Sequence, residues 1–314
     1  MKFSSALALN LCLAILSLSF LARSAQGAIA IDSTAFGNQG TAKTAVSTSA
    51  FSTVSGNELL LAFVSADKVT SAKTTVTGIT GGGLTWVLVQ RTNVQSGTAE
   101  IWRAFASSAL SGVSVTATLS QSVSSSITVM SFTGVDTSGA NGSGAVGNMG
   151  TGNANPGAPT ATLTTIRNGS LVLGVGNDWD NAITRTLGAG QTLVHQYLSP
   201  VGDTYWVQML SSPVLLSGTS VTVNDTAPTG DRYNLSIVEV LAAQGGGTSG
   251  SITGTISPAS SASGATLTLS QNGSTVATTS GNSSGVYTFP SEPNGSYVVT
   301  PSEGASPSLR LLKL

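Results

Sequence analysis

Residues 113–119 read VSVTATL, and apolar side chains alternate strictly with Ser and Thr along this stretch. Such alternation is typical of a β-strand with one buried face. A second stretch, LLLAFV at residues 59–64, is continuously apolar and follows the turn residues Ser55-Gly56-Asn57. A short apolar block between turn signals is also a strand pattern. Together the two stretches predict an all-β protein.

The same patterns recur on both sides of these stretches, and we find almost no helical period. Residues 136–159, rich in Gly, Ala, Asn and Ser, predict a long surface loop. Asn168-Gly169 between two β-rich runs predicts a tight hairpin. Many short strands between turns favour a jelly-roll-like antiparallel β-sandwich over residues 28–243. Further strands are predicted at residues 75–79, 84–91, 100–106, 127–132, 160–164, 170–175, 192–197, 204–210, 220–223 and 233–241.

The N-terminal segment has the layout of a secretory signal peptide. Lys2 precedes an apolar run at residues 6–22, and the small residues Ala25 and Gly27 suit the positions before a cleavage site. We therefore expect residues 1–27 to be removed, with no membrane span afterwards and an extracellular or cell-surface location. The alternative is an uncleaved membrane anchor, for which this apolar run is short.

Composition excludes several function classes. The only cysteine, Cys12, lies in the predicted signal peptide, which excludes disulfides, thiolate metal sites and cysteine nucleophiles from the remaining chain. Charged residues are 8% of the chain and the formal net charge is −1. Counterion-driven binding of nucleic acid needs a basic patch, which this sequence lacks.

A second β pattern begins after residues 244–250, QGGGTSG, which predict a flexible linker. Its stretches read ITGTI at 252–256, GATLTL at 264–269, SGVYTF at 284–289 and PNGSYVVTP at 293–301. This segment resembles the prealbumin-like modules called carboxypeptidase regulatory-like or Cna-B-like domains. The resemblance implies a seven-stranded Ig-like sandwich used as a stalk or accessory module. The pattern stops after Ser302, so we expect residues 251–314 to form a truncated module.

The first domain resembles a repeated β-domain of unknown function in large secreted bacterial proteins. The resemblance rests on GNELLLAFVSAD at 56–67, GLTW at 83–86, AEIW at 99–102, GVGNDWDN at 174–181 and GQTLVHQ at 190–196. It implies a secreted sandwich and no particular activity.

The densest group of polar side chains is Asn177-Asp178-Trp179-Asp180-Asn181. Asn177, Asp178, Asp180 and Asn181 could offer oxygen ligands to Ca²⁺, although their spacing is not that of an EF-hand. The alternative interpretation is a polar turn in which Asx side chains cap backbone N–H groups. No other cofactor is indicated.

Aromatic residues and the single histidine suggest two further hypotheses. Trp179 and Trp206 are candidates for stacking on sugar rings, with Trp179 the better one because polar residues surround it. His195, with a serine and Asp203 or Asp178, could form a hydrolase triad, but a structural or surface histidine is the favoured interpretation. Glu58, Glu100 and Glu239 occur singly, without the paired carboxylates of a glycosidase.

The sequence thus predicts a secreted, non-enzymatic surface or matrix protein with a structural or adhesive role. The first alternative is a carbohydrate-binding protein, assisted by calcium, with a polysaccharide or cell-surface component as its partner. The second alternative is a cryptic hydrolase.

Overall fold

The computed structural model describes residues 28–243, 250–259, 262, 265–271, 274–292 and 297–302. The predicted signal peptide, the predicted linker up to residue 249 and the tail at residues 303–314 lie outside this range. Within it the chain is nearly all antiparallel β-structure, with one 3₁₀ turn at Ser143–Ala145 and no α-helix. Accordingly, none of the described segments is a helix that could cross a membrane. The described residues divide into two compact units, one before and one after residues 244–249.

The first unit contains fourteen strands in two halves. The first half comprises β1 Ala30–Ser47, β2 Glu58–Ala66, β3 Val76–Gly81, β4 Val87–Thr92, β5 Thr98–Ala106 and β6 Val115–Thr133. The second half comprises β7 Val146–Ala154, β8 Thr160–Thr164, β9 Leu171–Asp178, β10 Thr186–Leu187, β11 Gln191–Leu198, β12 Thr204–Leu210, β13 Ser220–Ala227 and β14 Tyr233–Val240.

The two halves have the same topology. The central sheet of the first half has the order β1-β6-β2-β5-β4, and that of the second has the order β7-β14-β9-β12-β11. The long strand β1 corresponds to β7 plus β8, and the long strand β6 corresponds to β13 plus β14. The short strand β3 pairs with the first part of β6 as β10 pairs with β13. Even a register shift recurs, between Leu88 and Gln90 of β4 and between Leu193 and His195 of β11.

The halves are stacked in four β-layers. The two central sheets face each other across one apolar core, to which Leu61 and Phe63 of β2 and Leu173 of β9 contribute. The first part of β6, the last part of β1 and β3 cover the other side of the first sheet. Strands β8, β13 and β10 similarly cover the second sheet. Strands β2, β9 and β14 are therefore buried along their whole length.

A glycine lets an outer layer approach its central sheet at the same position in each half. A Cβ atom added at Gly37 would lie 1.8 Å from the carbonyl oxygen of Ser47, and one at Gly152 would lie 1.8 Å from that of Thr160. Gly37 pairs with Ile127 of β6, and Gly152 pairs with Leu235 of β14. Only glycine leaves room for this approach of two backbones.

The second unit contains five strands in its described part. These are β15 Gly250–Thr255, β16 Thr266–Gln271, β17 Ser274–Ser280, β18 Val286–Glu292 and β19 Val298–Ser302. Strand β15 pairs with β18, and β16 lies between β17 and β19. Leu267, Leu269 and Phe289 form its buried core, and the ring of Tyr287 contacts that of Phe289 edge-on at 6.0 Å.

The structure confirms the all-β sandwich class and corrects two predictions. Asn168-Gly169 does not close a hairpin, because β8 pairs with β13 whereas β9 pairs with β12 and β14. The predicted surface loop at residues 136–159 contains β7, which pairs with β14 over most of its length. Its glycines arise from packing, because Cβ atoms at Gly150 and Gly152 would collide with carbonyl oxygens of β8. Strand β1 was not predicted.

Candidate functional site

The residues of the 177–181 cluster lie at one end of the stacked sheets, where β9 ends and β12 and β14 begin. Asn177 and Asp178 are the last residues of β9, and Trp179 follows them. Asp178 pairs with Thr204 on one side and with Tyr233 on the other. The cluster therefore occupies the rim of the second central sheet.

Asp178 lies in a buried ion pair with Arg185. The Arg185 guanidinium donates to Asp178 Oδ2, and the two side chains are 1% and 0% exposed. The other carboxylate oxygen, Oδ1, accepts a hydrogen bond from the Asp180 backbone N–H at 2.8 Å. Burial raises the pKa of Asp178 to about 6, and the charge of Arg185 acts in the opposite direction. Both carboxylate oxygens of Asp178 thus have protein partners.

The remaining members of the cluster also contact protein groups. Asp180 Oδ1 lies 2.7 Å from Arg232 Nε. The Asn181 side-chain amide donates to Asp231 Oδ1 at 2.6 Å, and that of Asn177 donates to the Ala66 carbonyl at 3.4 Å. In the described part of the chain, no group of three or more His, Cys, Asp or Glu side chains is arranged to hold a metal ion. The geometry therefore gives the calcium prediction no support.

Trp206 does not provide the predicted stacking surface. Its side chain is among the largest that are fully buried, with 1% of the residue exposed. The indole N–H donates to Gln208 Oε1 at 2.7 Å, and Arg185 Cζ lies 4.5 Å from the ring centroid. Even positions of β12 face the outer layer of the second half, so the prediction for Trp206 is wrong.

Trp179 is half-buried and held at both its nitrogen and its ring. Its indole N–H donates to Asp67 Oδ1 at 2.7 Å, and Arg232 Cζ lies 4.6 Å from the ring centroid. A cation stacked on one face of an indole competes with a sugar for that face. Trp179 thus links the two halves, because it contacts Asp67 of the first half and Arg232 of the second.

A pair of hydrogen-bonded carboxyl groups, not foreseen from the sequence, lies beside Trp179. Asp67 follows β2 and Asp203 precedes β12, and the two side chains share a hydrogen bond. The Tyr205 hydroxyl donates to Asp203 Oδ2 at 2.8 Å. Burial raises the pKa of Asp203 to about 8, and the charge of Asp67 acts in the same direction. The like charge of Asp67 thus adds to burial in favouring the protonated form of Asp203.

Two further buried acids retain their protons near neutral pH. Burial raises the pKa of Glu58 to about 7, helped by a hydrogen bond to Asp32. Burial also raises the pKa of Asp225 to about 7, against the opposing charge of Arg185. Both side chains belong to residues that are at most 2% exposed. Their positions inside the layers make them determinants of stability.

His195 lies on β11 beside an amide. Its Nε2 atom is 3.0 Å from Asn38 Oδ1, and its ring stacks on Phe36 with centroids 4.2 Å apart. Asp203, the carboxylate considered for a triad, is bound instead by Tyr205 and Asp67. The described geometry therefore assembles no Ser-His-Asp arrangement around His195.

A shallow cleft of about 420 Å³ lies at the opposite end of the sheets. Arg167 forms an ion pair there with Asp136 at 2.6 Å and donates to the Ala242 carbonyl at 2.9 Å. Burial acts to raise the pKa of Asp136, but hydrogen bonds from Ser138 and, after them, the contact with Arg167 lower it overall. The Arg167 guanidinium and the Asp136 carboxylate pair with each other, so the described lining of the cleft presents no unpaired charge to a ligand.

The two outer layers carry rows of exposed hydroxyl groups. In the second half, Thr162 of β8 and Thr222 of β13 stand opposite each other, with their hydroxyl oxygens 3.2 Å apart. In the first half, the Ser47 and Thr116 hydroxyl oxygens are 2.7 Å apart. The row of the second half continues with Thr160, Thr164 and Ser220, and that of the first half with Thr77, Thr80 and Thr118.

Sequence alternation in 113–119 and 160–164 predicts one polar face on each of these strands, and the hydroxyl rows lie on those faces. Comparisons with protein-family models, curated proteins and solved structures found no match for this chain.

Proposed function

We propose that the protein is a secreted, non-enzymatic surface or extracellular-matrix protein with a structural or adhesive role. The observation that carries the proposal is the presence of a hydroxyl row on each of the two outer layers. Because these layers lie on opposite sides of the stack, one molecule can contact two neighbouring surfaces at once. Two contact surfaces on opposite sides suit a bridging or adhesive role.

The chemistry of the rows favours a neutral, hydroxyl-rich partner. Threonine and serine hydroxyl groups both donate and accept hydrogen bonds. Successive outward residues on a strand are about 6.6–6.8 Å apart, and neighbouring strands about 4.7–4.9 Å apart, so the hydroxyls form a regular array. Exposed groups such as Thr162 and Thr222 are uncharged, so their contacts with polysaccharide would be hydrogen bonds and methyl packing.

Retention of the protein on insoluble polysaccharide tests the proposal. Purified protein is incubated with microcrystalline cellulose or chitin, and the bound fraction is measured by depletion. We expect saturable retention by the wild type. Each double variant Thr162→Glu/Thr222→Glu and Thr116→Glu/Thr118→Glu should weaken it about tenfold, because buried contacts with an unpaired carboxylate are costly.

A matched control shows whether weaker retention depends on where the two negative charges are added or only on their number. Val54→Glu/Val69→Glu adds the same two charges at side chains that are 86% and 61% exposed and outside both rows. This control should bind as the wild type does. Absence of wild-type retention on both matrices, or equal retention by all variants, would contradict an adhesive role of the rows.

A further inference from the structure

An aromatic pair lies at the edge where the two central sheets meet. Phe36 is on β1, the edge strand of the first central sheet, and His195 is on β11, the edge strand of the second. The rings stack with centroids 4.2 Å apart and planes inclined by 20°. Phe36 is nevertheless 49% exposed. One face of its ring is therefore supported by protein while much of the side chain remains open to solvent.

A fixed amide accompanies the exposed ring. Asn38 Oδ1 accepts a hydrogen bond from Ser126 Oγ at 2.9 Å and contacts His195 Nε2 at 3.0 Å. Within the described residues, no acceptor contacts the amide nitrogen of Asn38. Its two N–H donors consequently remain available, two residues along β1 from Phe36 and on the same side of the strand.

The architecture does not require an aromatic pair here. The duplication places Thr151 of β7 at the position of Phe36, since Phe36 pairs with Thr128 and Thr151 with Ser236. It places Gln90 of β4 at the position of His195, because both follow the shared register shift. The equivalent edge, formed by β4 and β7, thus has Gln90 and Thr151 in place of the two stacked rings.

We infer that the Phe36–His195 edge binds a neutral sugar, whose apolar face stacks on Phe36 while a ring hydroxyl accepts a hydrogen bond from Asn38. Aromatic rings bind apolar surfaces, and a few placed polar groups orient the ligand. Burial lowers the pKa of His195, so the imidazole is neutral at pH 7. A neutral edge suits an uncharged glycan and gives no attraction to an acidic one.

This inference deepens the proposed adhesive function, on which it rests, by assigning a ligand class to a site distinct from the hydroxyl rows. Soluble cellohexaose, chitohexaose and mannohexaose are the probes. Binding is followed by calorimetry and by the NMR signals of the imidazole, which belong to the only histidine of the chain. At least one probe should bind and shift those signals.

Substitutions at the ring define the site. Phe36→Ala should weaken binding at least about tenfold, whereas Phe36→Trp should preserve it, since a larger ring keeps the stacking surface. Val54→Glu/Val69→Glu, at exposed side chains outside the rows and away from the ring pair, should leave oligosaccharide binding unchanged. Failure of all three probes to bind, or equal binding by Phe36→Ala and the wild type, would overturn the inference. Retention on cellulose or chitin under those results would leave the adhesive role of the hydroxyl rows standing.

Discussion

The two halves of the first unit share one topology but place their polar groups differently. Glu100 of β5 and Trp206 of β12 occupy equivalent positions, as do Trp102 and Gln208. In the first half, Trp102 donates to Glu100 at 3.0 Å, whereas in the second half Trp206 donates to Gln208. The indole and its acceptor have exchanged places.

This exchange shows which features the topology requires. An indole N–H buried under the outer layer needs an acceptor two residues away, and either order satisfies it. The neighbouring strand adapts, because a Cβ atom at Gly176 would lie 2.1 Å from the Trp206 ring, while Val64 occupies the equivalent site in the first half. Strand order and layered burial are common to both halves, and the polar pairs within the layers vary.

The largest expected difference between the halves concerns the arginines that pair with their buried carboxylates. Arg185 is 1% exposed and faces both Asp178 and Asp225, whereas the side chain of Arg91 is 28% exposed beside Glu100. Arg185→Met should lower the free energy of unfolding by about 3–5 kcal/mol, because it leaves buried carboxylates unpaired. Arg91→Met should cost about 1–2 kcal/mol. Urea denaturation at pH 7 measures both, and equal losses would contradict the assigned burial.

Stability should fall as pH rises, and the second half should contribute more of this fall. The pKa values of Asp203, Asp225 and Glu58 are raised to about 8, 7 and 7, so the folded state binds more protons than the unfolded state. The resulting stability is full below about pH 4 and is lost as pH rises through about pH 7–8. Chemical denaturation should show a progressive fall in the free energy of unfolding across this range.

Amide substitutions locate the source of this pH dependence. Asp203→Asn should flatten the profile most, since its pKa is raised the furthest, and Glu58→Gln should flatten it less. A wild-type profile that rises between about pH 4 and about pH 8 would contradict the raised pKa values of Asp203, Asp225 and Glu58.

The paired glycines should be equally intolerant of a side chain. Gly37→Ala and Gly152→Ala each force a Cβ atom against a carbonyl oxygen, and each should cost about 2–3 kcal/mol. Gly78→Ala is the control, because a Cβ atom there meets nothing within 4 Å and its cost should be near zero. Thermal unfolding of the three variants compares them. A large loss of stability in only one of these two variants would contradict the structural equivalence of Gly37 and Gly152.

The smallest stability effect is expected at the aromatic edge. Phe36→Thr places on β1 the residue that β7 has at the equivalent position, and the ring is 49% exposed. The free energy of unfolding should fall by less than about 1 kcal/mol. A loss comparable to that of a core phenylalanine would show that the ring pair holds the edge together, against a role in binding.

Strand existence could be predicted from the sequence, and the layering could not. Alternation and apolar blocks predict most strands, but the glycines of β7 predict a loop because they resemble those of a flexible segment. Their role depends on the approach of β8, a contact that no local pattern records. The continuous apolar block at 59–64 marks burial on both faces, which becomes clear only when the outer layer is present.

The candidate sites were less predictable for the same reason. Asp67 and Asp203 are separated by more than half of the first unit, and only the face-to-face packing of the sheets joins them. The burial of Trp206 could not be predicted from its own strand, because both sides of β12 are covered over most of its length only when the layers are stacked. Phe36 lies on a strand that local patterns did not reveal.

Salt dependence of matrix binding tests most directly whether uncharged hydroxyl rows carry adhesion. The concentration of protein giving half-maximal retention on cellulose or chitin is measured between about 50 mM and about 1 M NaCl. Contacts made by Thr162, Thr222 and their neighbours involve no ion pairs, so this concentration should change by less than about twofold. A weakening of about tenfold or more at high salt would show that charges carry the binding, and would contradict the account.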